Sequence, residues 1–99
     1  MIAESDIILN NKQRKTLERI FEDPVRSDVP WSDIENLFTA LGGELSEGRG
    51  SRVRVILNER YADFHRPHPE RVTDKGALKS VRRFLVNAGV GLEEGKDEL

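Results

Sequence analysis

The chain of 99 residues contains no cysteine. That absence removes disulfide frameworks, thiolate zinc sites and cysteine nucleophiles together, and it suits a reducing compartment. No apolar run approaches the roughly 20 residues that span a bilayer, and the segment from Met1 to Asn10 has neither the basic start nor the cleavage site of a secretory signal. The expectation is a cytoplasmic protein without a membrane partner. Lys96-Asp97-Glu98-Leu99 spells an endoplasmic-reticulum retrieval signal, which has no meaning on a chain that never enters that compartment, and it is read as coincidence. Phosphate-loop and nucleophile-elbow motifs are absent, and Gly48-Arg49-Gly50 lacks the third glycine and the preceding strand of a dinucleotide fingerprint. Nucleotide hydrolysis and α/β-hydrolase chemistry therefore have no support. Histidine is scarce, with only His65 and His68, both inside Phe64-His65-Arg66-Pro67-His68-Pro69. Two imidazoles make an incomplete zinc shell and no third ligand lies at a recognisable spacing, so neither a metal nor another cofactor is expected.

What is present fits one domain with a single modest core. The net charge of −2 hides a segregation: between Arg49 and Arg83 ten Lys and Arg stand against four Asp and Glu, while the rest of the chain has six against fourteen. A local cationic field of this kind attracts phosphate even on a protein of acidic overall pI, because charges beyond a Debye length of about 8 Å are screened at physiological salt. The alternative is a set of solvated arginines that serve solubility alone.

Periodicity orders the elements. Residues 1–11 form an arm, within which Ile7-Ile8-Leu9 could pack on the body. Leu17, Ile20 and Phe21 give a first helix over Lys12 to Glu22, stopped by Pro24. Ser32 to Glu35 has capping-box spacing and opens a second helix, with Ile34, Leu37, Phe38 and Leu41 on one face and Gly42-Gly43 at its end. Three strands follow, over Glu44 to Ser46, Arg52 to Leu57 and Arg60 to His65, the last two joined by a tight turn at Asn58-Glu59. Alternation puts Val53, Val55 and Leu57 on one face and Arg52, Arg54, Tyr61 and His65 on the other. Thr73 or Asp74 caps a final helix with Leu78, Val81, Leu85 and Ala88 inward, Lys75, Lys79, Arg82 and Arg83 outward, and Gly89 at its end. Residues 91–99 form an acidic tail. The class is α+β, in the order α-α-β-β-β-α, with helices over one face of a three-stranded antiparallel sheet.

One chemistry these residues allow is cleavage of RNA without a metal. It needs a base for the ribose 2′-OH, an acid for the leaving 5′-oxygen and cations around the phosphate. Histidine is the side chain whose ordinary titration suits such work, so His65 and His68 are the candidate catalytic residues. Arg52, Arg54, Arg66 and Lys79 are candidate phosphate ligands, joined by Lys75 and Arg82 on the last helix. Tyr61 can stack on a base. Structural roles for the same residues remain open at this point.

Trp31 to Leu41, Gly42 through Gly50-Ser51-Arg52, and Pro67-His68-Pro69 through Lys75-Gly76-Ala77-Leu78-Lys79 to Asn87-Ala88-Gly89-Val90 together resemble the HicA family of bacterial toxins. The resemblance covers residues 31–90. It implies a fold like the double-stranded-RNA-binding domain, metal-independent cleavage of messenger RNA and neutralisation by a HicB-type antitoxin. His68 matches the family's His-Pro. The family carries its catalytic histidine after Gly-Ser, where this chain has Arg52, and arginine stays protonated and cannot act as a base. Two readings follow: an RNA-cleaving toxin in which His65 or His68 takes over proton transfer, or an inactive module that binds RNA or an acidic partner protein. A structural adaptor that docks an acidic protein on its basic face is a third. The helix over 12–22 lies outside the family core and has two uses open to it, bracing the sheet or joining two copies as a homodimer.

Overall fold

The computed structural model describes residues 8–92. Most of the expected arm, and the acidic tail with its terminal tetrapeptide, lie outside the described residues.

Helix α1 runs Asn11–Ile20 and starts where a reciprocal cap closes it. The Gln13 backbone N–H donates to Asn10 Oδ1 at 2.8 Å, and the Asn10 N–H donates to Gln13 Oε1 at 3.0 Å. This is the capping-box exchange, with Asn and Gln in place of Ser and Glu. The expected arm therefore ends earlier than Asn11, since Leu9 is already buried and Asn10 is the cap. Leu17 and Ile20 face the core, and Thr16, also buried, satisfies its hydroxyl on the Lys12 carbonyl.

Helix α2 runs Trp31–Ala40, and here the expected Ser32–Glu35 box does not form. Pro30 occupies the cap position without a side-chain bond, and the helix begins before Ser32. The Trp31 N–H is taken instead by the Arg71 carbonyl at 2.9 Å. That bond extends a two-residue antiparallel ladder between β1, Val29–Pro30, and β5, Val72–Thr73. Neither strand was anticipated, because two residues carry no readable alternation. The end of α2 matches expectation: Gly42 takes φ +95° and the Gly43 N–H returns to the Phe38 carbonyl at 2.8 Å. A Cβ on Gly43 would lie 2.9 Å from that same carbonyl oxygen, so the helix-to-strand corner requires glycine.

The sheet has the order β2-β3-β4, from Glu44–Glu47, Arg52–Leu57 and Arg60–His65. Asn58 and Glu59 both adopt left-handed φ, 51° and 68°, as a two-residue hairpin turn of the right twist demands. The Asn58 amide also donates to the Ala88 carbonyl at 2.8 Å, tying the turn to the end of α3, Lys75–Asn87. Asp74 is the cap of α3, accepting from the Ala77 N–H at 2.7 Å.

Helices α2 and α3 lie on one face of this sheet, and α1 packs on both of them. Phe38, Phe64 and Phe84, one from each layer-forming element, meet with ring centroids 5.8 to 5.9 Å apart, and Trp31 joins at 5.7 Å from Phe64. The chain is thus α+β, with the α-β-β-β-α order of a double-stranded-RNA-binding-domain-like fold and one added helix in front. No helix among the described residues is long and apolar enough to cross a membrane.

Candidate nucleic-acid interface

Strict alternation along β3 buries Val53, Val55 and Leu57 and leaves Arg52, Arg54 and Ile56 exposed. In β4 the residues on the same face, Tyr61, Asp63 and His65, are likewise exposed. The register sets these outward residues in three cross-strand rows: Arg52 opposite His65, Arg54 opposite Asp63, and Ile56 opposite Tyr61. The bond from the Arg66 N–H to the Ser51 carbonyl, 2.9 Å, marks 51 and 66 as a hydrogen-bonded pair. By alternation all three outward rows are non-hydrogen-bonded pairs, whose Cα atoms lie about 4.5 Å apart and whose side chains stand closest. Arg52 and His65 are therefore close neighbours, although thirteen positions separate them in the sequence.

A concavity of about 250 Å³ adjoins this first row, lined by Ser46, Gly48, Arg49, Arg52 and Asp63 among others. Gly48 shapes it. A Cβ there would come within 3.2 Å of the Arg52 stem, so the missing side chain lets Arg52 lie flat against the turn. Arg54 is held by Asp63 through bonds of 2.8 and 3.1 Å. The guanidinium's hydrogen bonds, with help from the charges of Arg52 and His65, hold the Asp63 carboxyl below the usual carboxylate range. Arg49 and Arg52 form no ion pair among the described residues. Two guanidiniums without an ion pair can hold a phosphodiester, and the imidazole opposite Arg52 can exchange a proton with the ribose oxygens that flank it.

The sequence candidates divide between layers. Arg52, Arg54, Tyr61 and His65 come together on the outer sheet face. His68 is exposed in the loop between β4 and β5. Lys75 and Lys79 are exposed on α3, in the helical layer behind the sheet, and do not share the face of Arg52. Arg66 and Arg82, expected on an RNA surface, are engaged elsewhere. Arg82 donates to the backbone carbonyls of Ile20 and Glu22 at 2.9 and 2.7 Å and clamps the end of α1. Arg66 donates to Glu35 at 2.6 Å and to Glu47 at 2.7 Å, and these bonds raise its already high pKa further. The Trp31 indole N–H also donates to Glu35. This half-buried cluster joins α2, the end of β2 and the end of β4, and so braces the strand ends that carry Arg52 and His65. No spacing in the sequence announces it, because Glu35 and Arg66 are 31 residues apart. Among the described residues no three His, Asp or Glu side chains gather closely enough to hold a metal ion.

A helix pair behind a three-stranded sheet, with one open face bearing arginine and histidine in register, defines a small α+β module of the double-stranded-RNA-binding-domain type. The chain belongs to the HicA toxin family of bacterial toxin–antitoxin systems, whose family model matches residues 31–90. The match begins at the first residue of α2 and ends just past α3, leaving α1 outside it. Membership makes the chain the toxin component of such a system and implies a cognate antitoxin as partner. No curated protein and no solved structure matches the chain.

Proposed function

We propose that this toxin binds RNA on its outer sheet face and cleaves it without a metal, with His65 as the proton-transfer residue. The observation that carries this reading is the cross-strand pairing of His65 with Arg52, which shares a concavity with Arg49. Arg52 stands where the family's histidine would stand, and a fixed cation there is suited to hold a phosphate. His65, directly across, is the group within reach of that phosphate that can accept and return a proton. In the cleavage step the imidazole takes the proton of the 2′-OH and the 2′-oxygen bonds to phosphorus. The bond to the 5′-oxygen breaks, the resulting His65 imidazolium gives its proton to that oxygen, and a 2′,3′-cyclic phosphate is left. Arg52 and Arg49 offset the charge that develops on the non-bridging oxygens. His68, exposed in the following loop, is the second candidate for the acid. A HicB-type antitoxin is the protein partner in this reading, and the chain acts in the cytoplasm.

The test is cleavage of a labelled single-stranded RNA in excess EDTA by the purified chain and its variants. His65→Ala is expected to reduce the rate about 10²-fold or more while leaving affinity nearly intact. Arg52→Ala is expected to weaken binding and to flatten its dependence on salt. Undiminished cleavage by His65→Ala rejects the assigned chemistry. A second reading rests on Arg52 itself: replacement of the family's histidine by arginine suits a module that has kept RNA binding and lost the reaction. Salt-sensitive binding by the wild-type chain without any cleavage would select it.

A further inference from the structure

The third row of the outer face departs from the polarity of the other two. Ile56 is 43% and Tyr61 66% exposed, they stand directly opposite each other, and neither joins the core. Exposed apolar residues scattered singly need no explanation, but a cross-strand pair beside a phosphate-binding row does. The tyrosine ring is also held in place. The Arg54 guanidinium lies 4.6 Å from its centroid, and Arg54 is in turn fixed by its two bonds to Asp63. A ladder from Asp63 through Arg54 to Tyr61 therefore orients the ring before anything binds. With one face under a cation and two-thirds of the residue still exposed, the ring presents its other face to solvent.

We infer that Tyr61, with Ile56 beside it, is a stacking subsite for one unpaired nucleobase of the RNA strand whose phosphate lies at Arg52 and His65. The inference rests on the reading of this face as an RNA surface and adds to it both a position and a substrate class. Ile56 lies four steps along β3 from Arg52, about 13 Å at 3.3 Å per residue. Roughly two nucleotides of an extended strand bridge that span. The recognised base thus lies about two nucleotides from the phosphate that is cut. Only a single strand can deliver it, because in a duplex each base face is already covered by its neighbours. Stacking on an aromatic ring tolerates any base, so the subsite selects for unpaired structure ahead of sequence.

The chain has one tyrosine, so the Tyr61 ring resonances form a unique reporter. The full chain is titrated with a short 2′-O-methyl RNA, whose blocked hydroxyl cannot attack, and with versions carrying an abasic site at each position in turn. Upfield shifts of the Tyr61 ring protons are expected with the intact strand. One abasic position should abolish them and weaken binding roughly ten-fold, the scale of a single base–aromatic stack. Tyr61→Ala should match that loss and be indifferent to the abasic site, while Tyr61→Phe should bind within about two-fold of wild type. Salt-sensitive binding with unmoved Tyr61 resonances and no abasic effect overturns the subsite and leaves the RNA reading standing. Tyr61→Ala that keeps RNA affinity but loses a HicB-type antitoxin also overturns it and gives the row to the protein partner. Absence of any RNA binding at low salt removes both readings together.

Discussion

Thr73 is 1% exposed, and among the described residues its hydroxyl has no hydrogen-bond partner. A buried hydroxyl stripped of water and left unpaired costs about 1 to 3 kcal/mol. Valine has the same shape and no such group. Thr73→Val is therefore expected to stabilise the chain by about 1 kcal/mol, read as a higher urea midpoint at unchanged slope; a lower midpoint would mean that the hydroxyl is satisfied. Asp74, the next residue, already supplies the cap of α3, so the substitution removes no cap. Residue-scale roles of this kind separate poorly in a sequence. Arg52, Arg54, Arg66 and Arg82 read alike as a basic stretch, and the structure gives them four different surroundings. What distinguishes them is a partner brought from far along the chain, such as Glu35 for Arg66 or the Ile20 carbonyl for Arg82. The cross-strand closeness of Arg52 and His65 was within reach, because it follows from the strand bounds and the Asn58-Glu59 turn alone.

At the scale of elements, the three helices, the three-stranded sheet and the hairpin turn were legible because each carries a period, a cap or a turn residue. The short β1–β5 ladder was not legible, since its pairing is decided by where Trp31 and Arg71 meet in space. Helix α1 is the informative case. It lies outside the span that matches the family, yet Leu17 and Ile20 are fully buried and Arg82 of α3 donates two bonds to the carbonyls at its end. The Ile20 carbonyl is one of the acceptors that a helix C-terminus leaves without intrahelical donors, and a guanidinium there also opposes the negative end of the helix dipole. The Phe21 ring lies 5.8 Å from the same guanidinium. Helix α1 is therefore bound into the core. Arg82→Ala is expected to cost about 2 kcal/mol, as loss of two charge-assisted hydrogen bonds does. Hydrogen exchange should then show α1 amides losing protection ahead of those of α2 and α3. Uniform loss across all three helices would mean that α1 has no separate clamp and opens only with the whole domain.

Across the whole molecule, arginines pair with carboxylates at short range, as Arg26 does, and at long range, as Arg66 does. Arg54 meets Asp63, Arg66 meets Glu35 and Glu47, and Arg26 meets Glu22 and Asp28. In each of Asp28, Glu47 and Asp63 the carboxyl is held below its usual range, first of all by hydrogen bonds from the paired guanidinium. A depressed pKa means that the folded chain binds fewer protons than the unfolded chain in acid. Protons therefore drive unfolding, and the contribution of these pairs is complete above the ordinary carboxylate range and lost as the pH falls through the lowered values. The three carboxylates are solvated, so salt weakens the same contribution. Thermal melts are expected to show Tm falling between neutrality and pH 3, less steeply in high salt. Arg66→Met sharpens the test. It frees Glu47 to titrate as an ordinary carboxylate, so the variant should be less stable at neutral pH yet lose less on acidification. A variant with the wild-type acid slope would show that Glu47 does not contribute to it and that the acid dependence lies with the Arg54 and Arg26 pairs.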